Sequence, residues 1–169
     1  MALYTPTYGL FEVRAAALDD PADMVAFWMI GFEDEPRRSA EICIVEIFGR
    51  DVDLHGAAVG MGVHPHHDPE IRDDFERVRL DVDVRQAHDY AVSWTPEHIA
   101  FYVDERLVKV VRQSLGYAMQ LMLGIYEFVD DAWPVSAPDR YPKTFTVQHV
   151  RGWRPTSGPG ARGPAFARS

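Results

Sequence analysis

Every second residue is large and apolar in the stretch His88-Asp89-Tyr90-Ala91-Val92-Ser93-Trp94. Successive side chains of an extended chain point to opposite faces, so Tyr90, Val92 and Trp94 would share one face. Such alternation, rich in aromatic and β-branched residues, predicts an antiparallel strand with one buried face. We therefore place Trp94 in the core of a β-sheet protein.

Short runs of the same kind recur at intervals of about ten residues, which is typical of a β-sandwich or a β-barrel. They are bounded by glycine, proline or aspartate, the residues that favour turns. In the last run, Phe145, Val147 and His149 are predicted to share one face. The fold class predicted is all-β, with strands over residues 8–17, 24–31, 41–48, 57–63, 88–94, 99–103, 107–112, 119–126 and 144–153.

One short helix is also predicted, near residues 70–78. Ile71, Phe75 and Val78 are spaced at i, i+4 and i+7, which places three apolar side chains on one face of a helix. The rest of the chain shows strand patterns, so this helix would be an exception in an otherwise all-β domain.

The composition excludes several classes of protein. With 169 residues, 47% of them apolar and 25% charged, the chain has the size and composition of one globular domain. Its formal net charge of -9 repels phosphate backbones, so no nucleic-acid partner is expected. No run approaches the roughly 18 consecutive apolar residues of a membrane span, so no membrane partner is expected. A single cysteine, Cys43, excludes an internal disulfide and a cysteine zinc site.

Composition divides the chain into two parts. Residues 1–154 carry the predicted strands and form the expected domain, whereas residues 155–169 are basic, rich in proline and glycine, and predicted to be flexible. The first residues, Met1-Ala2-Leu3-Tyr4-Thr5-Pro6, lack the basic and apolar regions of a secretory signal. The chain as written is therefore expected in the cytoplasm, and a start further upstream would make it a secreted protein.

Two glutamates interrupt the predicted strand Ala40-Glu41-Ile42-Cys43-Ile44-Val45-Glu46-Ile47-Phe48-Gly49. Carboxylates seldom lie in so apolar a run unless they are paired or functional. In a regular strand Glu41 and Cys43 share a face, and Glu46 points the opposite way. One extra residue, in a bulge near residues 44–45, would turn all three side chains to one concave surface.

Two glutamates on one face match the carboxylate pair that glycoside hydrolysis requires, and a separation of about 5 Å is typical of the retaining mechanism. An edge strand with one solvated and one salt-bridged glutamate would show the same spacing. The spacing alone leaves both interpretations open.

The sequence around the glutamates resembles glycoside hydrolase family 16, the group of laminarinases, lichenases and agarases. Members carry the pattern Glu-x-Asp-x-x-Glu after a Pro-Ala-Phe-Trp-Met-Leu segment, and here Val25-Ala26-Phe27-Trp28-Met29-Ile30-Gly31 precedes the strand with the two glutamates. The similarity covers roughly residues 7–153 in order. It includes three further segments, Tyr8-Gly9-Leu10-Phe11-Glu12-Val13-Arg14, residues 88–104 and Tyr141-Pro142-Lys143-Thr144-Phe145-Thr146-Val147-Gln148-His149-Val150-Arg151.

The resemblance implies a two-sheet antiparallel jelly roll of the concanavalin A type. It implies hydrolysis of β-linked glucan or galactan polysaccharides by a retaining mechanism, with Glu41 as the nucleophile, Glu46 as the acid/base and no cofactor. Because the match begins at Tyr8, we expect a sandwich reduced at its N-terminus. An exposed sheet edge is a liability, so we also expect a homo-oligomer formed through that edge.

Cys43 stands where the family pattern has an aspartate that assists the two glutamates. A neutral thiol removes one negative charge, so the pKa of Glu46 would be raised less than in the family. We therefore expect a weakened enzyme. The alternative is a catalytically impaired glycan-binding or structural relative that uses the same cleft. Apart from the resemblance, Cys43 has the character of a small apolar strand residue.

Substrate-binding residues are expected beside the glutamates, because aromatic faces pack against pyranose rings. His64 matches a family histidine near the acid/base, whereas Gly124 replaces a family asparagine. The predicted substrate-binding residues are Trp28, His64, Tyr126, Phe128 and Trp133.

The segment His64-Pro65-His66-His67-Asp68-Pro69-Glu70 is rich in metal-ligand side chains. Its prolines break the regular ligand spacing of zinc or nickel sites. We interpret it as a solvated histidine-rich loop and expect no metal site.

Overall fold

The computed structural model describes residues 4–32, 34–128 and 140–155, so that Trp133 and most of the predicted tail lie outside the described residues. Within these ranges, no helix is long and apolar enough to cross a membrane. The strands are β1 (Gly9–Ala16), β2 (Asp23–Gly31), β3 (Glu41–Asp53), β4 (Gly56–His64), β5 (Asp74–Leu80), β6 (His88–Trp94), β7 (Ile99–Val103), β8 (Arg106–Val111), β9 (Met119–Glu127) and β10 (Thr146–Trp153).

The strands form two antiparallel sheets. Sheet A has the order β10-β1-β6-β7-β8, and sheet B has the order β5-β4-β3-β2-β9. Neighbouring strands in each sheet run antiparallel. The all-β class and the two-sheet antiparallel sandwich predicted from the sequence are therefore confirmed.

The core lies between the sheets and is built from alternate residues of the strands. Tyr90, Val92 and Trp94 are buried together, as the alternation predicts, and Trp94 donates a hydrogen bond from Nε1 to the carbonyl oxygen of Leu115 at 3.1 Å. Burial of a large apolar side chain stabilises the fold by about 1.5–3 kcal/mol. The alternating faces of both sheets together supply this core.

The helix predicted near residues 70–78 is wrong, because most of that segment forms strand β5. Gly62 pairs with Phe75, and Val59 pairs with Val78. In a strand, positions 75 and 78 face opposite sides, so Val78 packs against the core while Phe75 lies on the outer surface of sheet B. The spacing of these residues would place them on one face of a helix, but in strand β5 it places them on opposite faces of the sheet. Backbone pairing with β4 therefore decides the structure of this segment.

A bulge in β10 separates two residues that were predicted to share a face. Arg14 pairs with His149 and Ala15 with Val147, so Gln148 is an extra residue of β10. Val147 therefore packs against the core, whereas His149 turns to the outer surface of sheet A. The prediction that both residues face one side is wrong for this reason.

Candidate active site

A bulge in β3 is present where the sequence predicts it. Cys43 lies opposite Trp28 on β2 and Val45 lies opposite Phe27, so Ile44 is an extra residue of β3. The register against β4 shifts at the same place. As a result, the glutamates before and after the bulge face the same side of sheet B, the side away from the core.

Phe75 links the surroundings of the two glutamates. Glu41 lies opposite His64 on β4, and His64 stacks on Phe75 with the ring centroids 4.4 Å apart. A Cβ atom at Gly60 would lie 2.5 Å from the same ring and 3.2 Å from Cβ of Glu46. The glycine therefore allows the Phe75 ring to approach Glu46, and both glutamates border one surface.

Cys43 lies between the glutamates along the strand and is almost completely buried, with 1% exposure. Its Sγ atom is 4.0 Å from Oε2 of Glu46 and 4.0 Å from the carbonyl oxygen of Gly60. Burial, followed by the charges of Glu46 and Glu41, raises the pKa of Cys43 well above its ordinary value. The thiol is therefore neutral at pH 7 and offers Glu46 only a weak S–H donor.

The two glutamates lie in different environments. Burial is the main cause that raises the pKa of Glu46, and the charge of Glu41 raises it further, whereas His64 and Arg77 oppose the shift. The Glu41 side chain is 17% exposed, and its Oε2 atom lies 3.2 Å from Nε2 of His66. Carboxyl groups in unequal environments can take unequal roles in proton transfer.

His64 is held at the site by two contacts besides its place opposite Glu41. Its Nδ1 atom lies 3.0 Å from Oδ2 of Asp73, and its ring packs on Phe75. The hydrogen bond with His64 is the main cause that lowers the pKa of Asp73. The predicted residue therefore lies beside the glutamates with its ring orientation set by its neighbours.

An aromatic row lies beside the glutamates on the same face. The ring of Trp28 is 5.9 Å from that of Tyr126, and Tyr126 is 6.4 Å from Phe128. Phe48 extends the row, with its ring 5.7 Å from Phe128. Three residues predicted to bind substrate are thus grouped in one surface, and aromatic faces of this kind pack well against sugar rings.

Gly124 gives the aromatic row its shape. A Cβ atom at this position would lie 2.8 Å from the ring of Tyr126, so the ring occupies the space that a larger side chain would fill. Arginines border the other end of the row, with the guanidinium of Arg50 4.3 Å and that of Arg77 5.4 Å from the centre of the Phe48 ring. The end of the row at Phe48 is therefore cationic.

The potential metal ligands of the loop after β4 do not converge. His64 and His66 pair with different carboxylates, and Asp68 accepts a hydrogen bond from Tyr117. In the part of the chain that the structure describes, three ligand-type side chains do converge on the outer face of sheet A, with ligand atoms within 4.8 Å of one another: Glu12, Asp89 and His149. Arg14 already pairs with one of these carboxylates at 2.7 Å.

Three residues at the site were not predicted from the sequence. Phe48 follows Glu46 by two residues, so strand alternation could have placed it on the same face. Phe75 was assigned to a helix. His66 reaches the site through a turn, and no spacing rule links it to Glu41.

Comparison with known proteins identifies the family. The sequence profile of glycosyl hydrolases family 16 matches residues 4–136. The chain belongs to this family.

Two relatives of this family 16 chain come from Rhizobium meliloti (strain 1021). The endo-1,3-1,4-beta-glycanase ExsH is 31% identical over 107 residues, which are 62% of this chain and 21% of ExsH. The endo-1,3-1,4-beta-glycanase EglC is 30% identical over 105 residues, again 62% of this chain and 21% of the relative. The family 16 chain thus spans about one fifth of the length of these curated relatives.

Solved structures share the fold of this family 16 chain. The GlcNAcα1-4Gal releasing endo-β-galactosidase from Clostridium perfringens has a TM-score of 0.74 and 28% identity, over 92% of this chain and 40% of that one. The laminarinase catalytic domain from Thermotoga maritima MSB8 has a TM-score of 0.68 and 18% identity, over 90% of this chain and 66% of that one. The jelly-roll sandwich expected from the resemblance is confirmed.

Proposed function

We propose that this family 16 chain is a retaining endo-β-glycosidase that cleaves β-linked glucan or galactan polysaccharides. One observation carries the proposal: the β3 bulge turns Glu41 and Glu46 to one surface and leaves them in different environments. The adjoining aromatic row offers faces on which sugar rings pack. Unequal carboxyl groups beside a surface for sugar rings support cleavage of a glycosidic bond.

In the first step of the proposed reaction, the carboxylate of Glu41 attacks the anomeric carbon. The glycosidic C–O bond breaks, its electron pair stays on the leaving oxygen, and this oxygen takes the proton of Glu46. The raised pKa of Glu46 favours the protonated form that this step needs.

In the second step, water attacks the anomeric carbon of the glycosyl-enzyme and Glu41 leaves as a carboxylate. The ionised Glu46 takes the proton from that water and is ready for another turnover. Each step inverts the anomeric configuration, so the product retains it.

The substrate class rests on the aromatic row and on the relatives. Trp28, Tyr126 and Phe128 offer several ring faces in line, as a polymer requires and a single sugar does not. The names of the relatives include a β-glycanase and an endo-β-galactosidase, which supports β-linked glucans and galactans as the polymers to test.

Cys43 weakens the proposed enzyme. The neutral thiol supplies neither the charge nor the strong hydrogen bond of the aspartate that it replaces in the family pattern. Glu46 then depends on burial and on Glu41 to hold its proton, so activity is expected to fall off sooner as the pH rises.

The test is a polysaccharide panel of laminarin, lichenan, xyloglucan, agarose and carrageenan, measured at several pH values. Glu46→Gln is expected to lower kcat by about 10²–10⁴, and Glu41→Gln by at least as much, because each removes one of the two reacting carboxyl groups. Glu97→Gln, in an exposed turn of sheet A, is the matched control and should leave turnover unchanged. Saturable oligosaccharide binding without turnover of any polymer would instead support the impaired glycan-binding relative.

Cys43→Asp tests the account of the weakened site. The substitution restores a carboxyl group beside Glu46 and is expected to raise hydrolysis of at least one polymer and to extend activity to higher pH. Cys43→Ser is the control, because it adds a hydroxyl group without a charge. An aspartate variant that raised the hydrolysis of none of the β-glucans would contradict this account.

A further inference from the structure

The turn that follows β4 carries His66 to Glu41. Nε2 of His66 lies 3.2 Å from Oε2 of Glu41, and the imidazole is 44% exposed. Among the residues that the structure describes, His66 is the one whose side chain lies within hydrogen-bonding distance of the Glu41 carboxylate. Cys43, at the position of the family aspartate, contacts Glu46 and Gly60 instead. The hydrogen-bonding group at Glu41 therefore comes from the turn after β4 and not from strand β3.

Buried polar contacts fix this turn to the chain just before β3. The backbone N–H of His67 donates to Oγ of Ser39 at 3.0 Å, and Ser39 is itself buried. The hydroxyl of Tyr117 donates to the buried Asp68 at 2.8 Å and accepts from the N–H of Ala40 at 3.1 Å. These bonds tie the turn to the residues that lead directly into Glu41.

The backbone of His66 adopts an uncommon conformation. Its φ angle is +46°, in the left-handed region that favours glycine. A backbone N–H donated by Asp68 to Pro65 at 2.8 Å closes the turn around it. Strained conformations of this kind persist where the surroundings impose them, and they cluster at functional sites.

We propose that His66 is the positioning residue for the nucleophile: it holds one oxygen of Glu41 so that the other faces the anomeric carbon. This inference rests on the proposed function. A donor on Oε2 also stabilises the carboxylate when it leaves in the second step, so its main effect falls on kcat. The titratable groups that interact with the pair come from β3, β4 and the loop before β5, and they are Cys43, Glu46, His64 and Asp73.

Three variants test the proposal. His66→Ala is expected to lower kcat about ten- to a hundredfold with little change in KM, because the nucleophile loses its orientation and the sugar-binding surface does not. His66→Gln keeps an N–H donor at similar reach, so it should recover most of kcat. His67→Ala is the matched neighbour and should leave kcat within about twofold, since only its backbone holds the turn.

Two results would overturn the proposal in variants that unfold at the wild-type temperature. One is a kcat for His66→Ala equal to that for His67→Ala. The other is a His66→Gln variant as slow as His66→Ala, because the donor would then not be the cause.

A second measurement needs no turnover and separates this inference from the proposed function. A hydrogen bond from His66 should hold the Glu41 side chain in one conformation, which crystal structures of the wild type and the variants measure directly. The Glu41 carboxylate should lie in one orientation in the wild type and in His66→Gln, and in more than one in His66→Ala. The same single orientation in His66→Ala would overturn the positioning role, whereas its loss there in a protein that cleaves no polymer would leave that role intact and overturn only the proposed function.

Discussion

Inward-facing residues are buried to different extents at the two sides of the sandwich. One row of inward-facing residues crosses sheet B from β9 to β4 through the pairs Ile125–Val25, Val25–Ile47 and Ile47–Val59. Ile47 is 1% exposed and Ile125 is 39% exposed, although both are isoleucines on the same face. Alternation therefore assigns the face of a residue, and the neighbouring strands decide whether that face is covered.

The inward-facing residues of sheet A are also exposed at its edge strand β10. Val13 of β1 is fully buried, whereas its partner Val150 is 42% exposed. A cavity of about 610 Å³ lies between β9 and β10, and Leu121, Val150 and Tyr4 are among its lining residues. We call this side of the sandwich, bordered by β9 and β10, the open side.

The opposite side, bordered by β5 and β8, is closed by ion pairs between the sheets. Lys109 on β8 reaches across to Asp74 at 2.8 Å and Glu76 at 2.9 Å on β5, and its side chain is only 7% exposed. We call this the closed side. The β3 bulge and both glutamates are packed toward β4 and β5, so the two glutamates lie in the better-packed half of the molecule.

The largest expected difference between the two sides comes from the pair of isoleucines. Ile47→Ala should lower the free energy of unfolding by about 3–4 kcal/mol, because it leaves a cavity in a covered core. Ile125→Ala should lower it by about 1 kcal/mol or less, because its side chain already meets solvent. Urea unfolding of both variants measures the difference, and equal losses would show that the open side is covered in solution.

A pair of glycines gives the next prediction. Gly60→Ala places a Cβ atom 2.5 Å from the Phe75 ring, which His64 holds by stacking. We expect the free energy of unfolding to fall by about 1–3 kcal/mol. We also expect displacement of Glu46 and reduced turnover. Gly124→Ala meets the exposed Tyr126 ring, which can rotate away, so the loss should stay below about 0.5 kcal/mol. Urea unfolding and kcat compare the two variants, and an equal response would contradict the difference in packing.

Glu46 is expected to contribute to the pH dependence of the free energy of unfolding. Because the pKa of Glu46 is raised above its ordinary value of 4.5, the folded protein binds this proton more tightly than the unfolded one. The stability that Glu46 contributes is present below that value and is lost as the pH rises through its folded pKa. Glu46→Gln should therefore be more stable, relative to wild type, at pH 7 than at pH 4. Thermal unfolding measures this change, and Glu97→Gln should show no such trend.

Leu123→Glu on the open side should lower the free energy of unfolding by only about 1 kcal/mol or less, because this side chain is already exposed. The same variant tests the homo-oligomer predicted from the sequence, since an apolar face that the described residues leave exposed favours association. Sedimentation should show association of the wild-type chain and its loss in Leu123→Glu. Leu107→Glu, at an exposed position of β8, is the control, and a monomeric wild-type chain at high concentration would contradict the prediction.

The sequence predicted one bulge and missed another for a chemical reason. In β3, Glu41 and Glu46 could share a face only if an extra residue lay between them, so their chemistry revealed the bulge. In β10, Gln148 is an ordinary polar residue, and nothing in the sequence marks it as extra. A bulge becomes predictable when it reorients residues whose type is unusual in a buried strand.

Some residues near the glutamates could be predicted from the sequence and others could not. Trp28 and Tyr126 were predictable because the resemblance and the strand pattern place them on the same surface. His66 was not, since its contact with Glu41 depends on a turn that Ser39 and Asp68 hold from other parts of the chain. Contacts between distant segments leave no periodic signal in the sequence.

The sequence by itself determined the fold class, the strand positions other than β5 and the family, and it predicted the two glutamates as the chemical centre. These follow from local patterns, because side-chain alternation and motif spacing are properties of neighbouring residues. Only the tertiary structure decided that Ile47 is covered and Ile125 is not, that burial raises the pKa of Glu46, and that His66 reaches Glu41. Burial, electrostatic environment and long-range hydrogen bonds depend on which segments come together in the folded chain, and a local pattern does not contain that information.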